Sequence, residues 1–197
     1  MIPLSVFWVL MLAIVAAVGL TYWRRSRRLL RTKESSRSLS QAPSIFELRL
    51  GDIVQYFERD WVVEGRLLYD EDGFTWLEYM LQDGDDIRWL SVEEDDWVTV
   101  ALMTTVSDLE LENPPPKELT YRGDRYRCTD SGTAQMRREG NLRRPNAERC
   151  NYYDYEGPEK KVLSVEDWDG DIEISAGDII APAALTILPG EGNSVYR

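Results

Sequence analysis

Histidine is absent from this chain of 197 residues. Its absence removes the commonest general base, proton shuttle and nitrogen ligand for metals, so no Cys–His or Ser–His nucleophile pair can be assembled from these residues. Cysteine is nearly absent too. Only Cys128 and Cys150 occur, in the strand-like runs "YRCT" and "RCNYY", and they read as small semi-buried side chains rather than a structural disulfide. The phosphate-cradling patterns GxxxxGK[ST] and GxGxxG are also missing. These absences leave no recognisable catalytic motif; the expectation is a protein that is not an enzyme and takes no cofactor.

Positive charge is scarce outside one short segment. Residues 24–37 hold seven of the 23 basic residues and one of the 35 acidic ones, which leaves 16 basic against 34 acidic residues elsewhere. So acidic a body repels nucleic acid, and no nucleic-acid partner is expected.

Only one long apolar run is present. From Leu4 to Trp23 twenty residues carry no charge, and as a helix they would span about 30 Å, the thickness of a bilayer's hydrocarbon layer. Trp8 near one end and Tyr22 and Trp23 at the other suit the two polar interfaces. No Lys or Arg precedes Leu4, whereas Arg24, Arg25, Arg27, Arg28, Arg31 and Lys33 follow closely. That arrangement argues for a retained anchor rather than a cleaved signal, and the positive-inside rule leaves the N-terminus outside. The expectation is a single-pass protein of a bacterial inner or internal membrane, anchored by residues 1–23, with Trp23, Arg24, Arg25, Arg27 and Arg28 at the interface and the body in the cytoplasm. Ala13 and Ala17, four residues apart, would let two such helices approach, which makes a homodimer a further expectation.

Residues 24–45 form a basic, Ser-rich tether without apolar period. Beyond it no stretch sustains a helical period, while short runs rich in Val, Ile, Tyr and Trp recur between acidic or Gly-containing turns. "RWLSVEEDD" (88–96) returns as "KVLSVEDWD" (161–169), and counting Tyr79 against Tyr152 without a gap makes seven of eighteen positions identical. Upstream, Tyr56 and Trp61 answer to Tyr121 and Tyr126 at the same separation of five. The predicted fold is mostly β, with two related antiparallel β-modules, each barrel- or sandwich-like, behind a single transmembrane helix. The modules cover 46–112 and 117–190, a Pro linker 113–116 joins them, and 191–197 are a tail. Modules of about 65 residues are marginal alone, so the copies are expected to pack on each other through aromatic faces. Within the repeated phrase Leu90 and Val92 share one face, as do Leu163 and Val165, with Ser91 and Ser164 opposite and the acidic tail ending the strand in water.

The runs "LGDIVQY", "DWVVEGRLLYDEDGFTWLEYMLQDGDDIRWLSVEEDD", "PPPKELTYRGDRYRC" and "YYDYEGPEKKVLSVEDWDGDIEISAGDIIAPAALTILPG" resemble bacterial proteins of the domain-of-unknown-function family numbered 4178, over roughly residues 48–190. The resemblance implies no activity and assigns no residue a role. It associates such proteins with neighbours in polyamine synthesis and membrane stress.

Two polar features stand out. Asp167, Asp169, Asp171 and Glu173 fall at alternate positions like the start of a calcium loop, but Ile172 stands where that loop needs glycine, so they are weighed as a cation or polyamine site against solvated hairpin ends. Arg137, Arg138, Arg143, Arg144 and Arg149 crowd a segment where the second module exceeds the first; a solvated loop is weighed there against a dock for an acidic partner or the membrane face. The function expected is a membrane-tethered interaction or scaffold protein, with cation or polyamine binding through acidic turns as the alternative.

Overall fold

The computed structural model describes residues 43–143 and 147–196. Eleven strands follow in order: β1 (Ile53–Tyr56), β2 (Arg59–Glu71), β3 (Phe74–Asp83), β4 (Asp86–Glu94), β5 (Val98–Thr105), β6 (Glu118–Tyr121), β7 (Asp124–Gly140), β8 (Arg149–Glu156), β9 (Lys161–Trp168), β10 (Asp171–Ile179) and β11 (Leu185–Leu188). Their hairpins obey turn chemistry. Asp72-Gly73, Arg122-Gly123 and Asp169-Gly170 each have positive φ at both positions, the geometry whose twist matches two antiparallel strands.

Eight strands close on themselves in the order β2-β3-β4-β5-β10-β9-β8-β7, with β7 pairing back onto β2. Every pairing is antiparallel. The remaining strands hang on this barrel, β1 and β11 beyond the first half of β2 and β6 beyond the first half of β7. Strands β1–β5 and β6–β10 repeat one plan. Each second strand breaks register once, at Val63/Gly65 and at Cys128/Asp130, the same 65 residues apart as Tyr56 from Tyr121. The two fifth strands pair with each other, and so do the two second strands, which gives the barrel an approximate two-fold relation.

This corrects the expected architecture. The two copies are not separate modules: each contributes four strands to one closed barrel. Among the described residues no helix is long and apolar enough to cross a membrane, so the single-pass inner-membrane placement, with its outside N-terminus and cytoplasmic body, is withdrawn. The residues that suggested it (4–23, Ala13 and Ala17, and Trp23, Arg24, Arg25, Arg27 and Arg28) lie outside the described residues. The ungapped count is also displaced. Ser91 stands opposite Glu78 and Ser164 opposite Asp154, so matching the serines matches Glu78 with Asp154, three residues beyond the count. Tyr79 accordingly faces outward whereas Tyr152 faces the interior.

Both faces of the strands are covered. Leu67, Met80, Trp89, Met103, Met136 and Trp168 meet inside the barrel. Outside, Leu77, Tyr79, Leu81, Leu90 and Val92 pack under Val54 and Trp61, and Leu163, Val165 and Ile174 pack under Leu119, Tyr121 and Tyr126. The predicted pairing of Leu90 with Val92 and of Leu163 with Val165 on one face therefore holds, but that face is the outer core.

Candidate functional site

The opposite face of the same strands delivers Ser and Glu into the barrel. Ser91 and Glu93 from β4, with Ser164 and Glu166 from β9, line a cavity of about 350 Å³ at the end where β4 turns into β5. Glu78 of β3, Asp95 of the β4–β5 turn, Asp130 of β7, and Asp154 and Glu156 of β8 line it too, which brings seven carboxylates to one space. Phe74, Trp76, Trp97, Tyr152 and Tyr155 supply aromatic surface, and no Lys or Arg is among the lining residues. Glu78 and Glu166 are each 5% exposed, so they are wall, not rim. Trp97 (74% exposed) and Phe74 (41%) stand at the mouth.

Hydrogen bonds and rings tie these groups together. The Tyr69 hydroxyl lies 2.5 Å from Glu166 Oε1 and 3.4 Å from Glu78 Oε2, between two buried carboxylates. Its ring stacks on Trp76 at 4.8 Å between centroids, and Trp76 meets Tyr152 edge-on at 5.2 Å. The Tyr152 hydroxyl donates to Glu71 at 2.5 Å and lies 3.3 Å from Asp130 Oδ2. Burial first, and then these carboxylates, hold the Tyr152 phenol well above its usual range. Glu71 also accepts the Thr133 amide at 3.1 Å, a position open to it because residue 132 is glycine: a Cβ there would sit 2.0 Å from Glu71 Oε1.

Asp154 is the most perturbed acid. Its ladder neighbours are Asp130 on β7 and Ser164 on β9, a like-charge cross-strand pair on one side and a hydroxyl on the other. Burial, then the negative fields of Glu166, Asp130 and Glu93, push its carboxyl up to about 7 against the opposing Ser164 hydrogen bond. Burial, with Asp130 and Asp95, raises Glu93 as well. Opposite Ser164 on the same interior face, the Ser175 hydroxyl is buried without a hydrogen-bond partner, in a residue only 4% exposed. A buried hydroxyl left in that state beside a lined cavity points to a ligand or water that completes it.

The far end of the barrel differs. A cavity of about 490 Å³ there is lined by Met80, Ile87, Trp89 and Leu142 with Asp85, Asp86, Arg143, Asp171 and Glu173. Asp86 is already held by Arg59 at 2.7 Å and Arg88 at 3.1 Å.

The residues singled out from sequence are scattered. Asp167 accepts the Gly170 amide and the Asn113 side chain, Asp169 sits in the hairpin turn, and Asp171 and Glu173 border the far cavity. Among the described residues no three His, Cys, Asp or Glu side chains are placed to hold a metal ion. Arg137 and Arg138 are strand rather than loop: β7 continues to Gly140, and its residues 135–140 pair with β2 to close the barrel. Arg143 borders the far cavity, Arg149 begins β8, and Arg144 lies outside the described residues. Cys128 and Cys150 are both free thiols. The interior acids escape a local reading because nothing in "LSVE" shows that its Glu faces the barrel interior rather than water. A signal was available in "WLEYM" and "LSVEDW", where a Glu recurs on the face of Trp76 and Met80, and of Trp168.

The family model described as "Domain of unknown function (DUF4178)" matches residues 49–182. Uncharacterised proteins of Mycobacterium bovis and Mycobacterium tuberculosis are 32% identical over 151 residues, covering 73% of this chain and 72% of each relative. No solved structure matches.

Proposed function

Because this chain belongs to the DUF4178 family, whose description names no activity, we propose from the barrel itself that the protein is a binding module for an organic cation bearing ammonium groups. The observation that carries this is the cavity: seven carboxylates and five aromatic rings around about 350 Å³, with no Lys or Arg in the lining. Carboxylates pair with ammonium groups through charge-assisted hydrogen bonds, and aromatic faces attract the same cations. The volume is that of a small-molecule pocket. Glu78 and Phe74, both in the lining, are four residues apart on β3, about 13 Å along a strand, a span that suits an extended polyamine or the side chain of a lysine. The cation thus enters the barrel rather than resting on the acidic hairpin turns.

The same ammonium chemistry can come from a free amine or from a protein partner. Either source makes the role one of binding, and no residue is assigned a catalytic part. Calorimetry and thermal unfolding with spermidine, with a lysine-bearing peptide and with calcium separate the cases. Spermidine or the peptide is expected to release heat and raise the melting temperature, with calcium inert. Glu166→Gln and Glu93→Gln should each weaken binding about tenfold or more. Binding of the peptide alone assigns the cation to a protein partner. No response to either amine at millimolar concentration overturns the proposal.

A further inference from the structure

Asp154 has surroundings that no simple cation cradle requires. Its direct ladder neighbours are Asp130 and Ser164, and Glu166, Glu93 and Glu78 line the same cavity from β9, β4 and β3. From β2 come Tyr69, hydrogen-bonded to Glu166, and Glu71, hydrogen-bonded to Tyr152. Asp95 and Glu156 close the circle near the mouth. Strands β5 and β10 bring only Thr99, Ala101, Met103 and Ile179 to the lining, with Ser175 behind them, and Glu173 of β10 faces the far cavity. Arg138 of β7 stands on the Glu78 side of the interior, separated from it in the ladder by Leu67, rather than beside Asp154. Asp154 and Asp130 face each other directly across the ladder, and the buried Glu166 lies two residues from Ser164 on the same interior face, so ionising Asp154 beside them costs more than ionising it alone. Asp154 is where the geometry concentrates the repulsion.

We propose that an ammonium group entering this cavity displaces the proton held by Asp154, so that capture and release are an exchange of cation for proton. This rests on the cation-binding role proposed above. In the step the Asp154 O–H bond breaks and the proton passes to water at the mouth beside Trp97 and Phe74. The carboxylate left behind pairs with the ammonium group, and no covalent bond to the ligand forms. For the one ammonium group that takes the place of the Asp154 proton the net charge of the cavity does not change, which is why the exchange is favourable where simple addition of a carboxylate charge is not.

The raised titration range of Asp154 agrees with this placement. Calorimetry with spermidine tests it, at about pH 6 and about pH 7.5, where aliphatic amines stay charged, in two buffers of different ionisation heat. The expected result is a heat that depends on the buffer, showing proton release, and an affinity that rises by up to about tenfold per pH unit below the Asp154 titration. Asp154→Asn should bind with one affinity at both pH values and with less buffer dependence. Spermidine binding with equal heats in both buffers and a pH-independent affinity overturns the exchange while leaving the cation-binding role standing. No heat at either pH from spermidine or from the lysine-bearing peptide overturns the role itself.

Discussion

Four barrel strands carry an apolar side chain at one level of the interior and a carboxylate at another: Met80 and Glu78 on β3, Trp89 and Glu93 on β4, Cys150 and Asp154 on β8, Trp168 and Glu166 on β9. The apolar level is packed, with Trp168 and Trp89 each 2% exposed. The acidic level holds the 350 Å³ cavity, and the far cavity lies on the other side of the apolar level, against Met80 and Trp89. Stability and a candidate function thus share one interior face, divided along the strand axis, and the packed level serves as the floor beneath the buried Glu78 and Glu166. Burial of that kind raises the cost of charge, and it is what makes the acidic level responsive to a cation or a proton.

The largest way to break this division is at the floor. Trp168→Ala should destabilise the fold by about 3–5 kcal/mol, read by urea or thermal unfolding, because it empties a packed position shared by the barrel strands. A change at the acidic level has the opposite sign. The Asp154 carboxyl is raised in the folded state, so the folded protein binds more protons than the unfolded chain between the ordinary value of 3.8 and about 7. Stability is then highest at low pH in this window and is lost as pH rises through it. Asp154→Asn removes that loss and should make the protein more stable than the unmodified chain at about pH 8, by up to about 4 kcal/mol, with the advantage gone near pH 4. Unfolding followed against pH checks both limbs; a destabilised variant at high pH would show that Asp154 is ionised at no cost in the fold.

Occupancy of the cavity should stabilise less steeply. An amine at a hundred times its dissociation constant adds about 2.7 kcal/mol, and Glu166→Gln should shrink the accompanying rise in melting temperature. The smallest effect is expected at Gly132. Gly132→Ala displaces Glu71 from the Tyr152 hydroxyl and should cost about 1 kcal/mol, with a change in the ultraviolet difference spectrum of the tyrosines when amine is added. An unchanged spectrum would separate the Glu71–Tyr152 pair from the site.

Much of the fold is legible in the sequence. The duplicated "LSVE", the Asp-Gly turns and the 65-residue offset of Tyr56 and Trp61 from Tyr121 and Tyr126 indicate two related runs of antiparallel strands, and alternation assigns Leu90 and Val92 to one face and Ser91 to the other. The site was not readable in the same way. Glu93 and Glu166 look like solvated strand ends when only the local string is considered, because alternation separates two faces without saying which of them meets water. The arginine-rich stretch after Arg137 looks like an inserted loop for a similar reason: its pairing partner, residues 65–70, lies about 70 positions earlier.

What the amino-acid order determined by itself is local: strand, turn, the parity of each side chain and the excess of negative charge. Those follow from backbone sterics and from a period of two, which act over a few residues. Only closure of β7 onto β2 decided that the polar faces would look inward and meet. Because closure brings together residues far apart in the chain, the crowding of Asp154 with Asp130, Glu93 and Glu166 exists only in the tertiary structure.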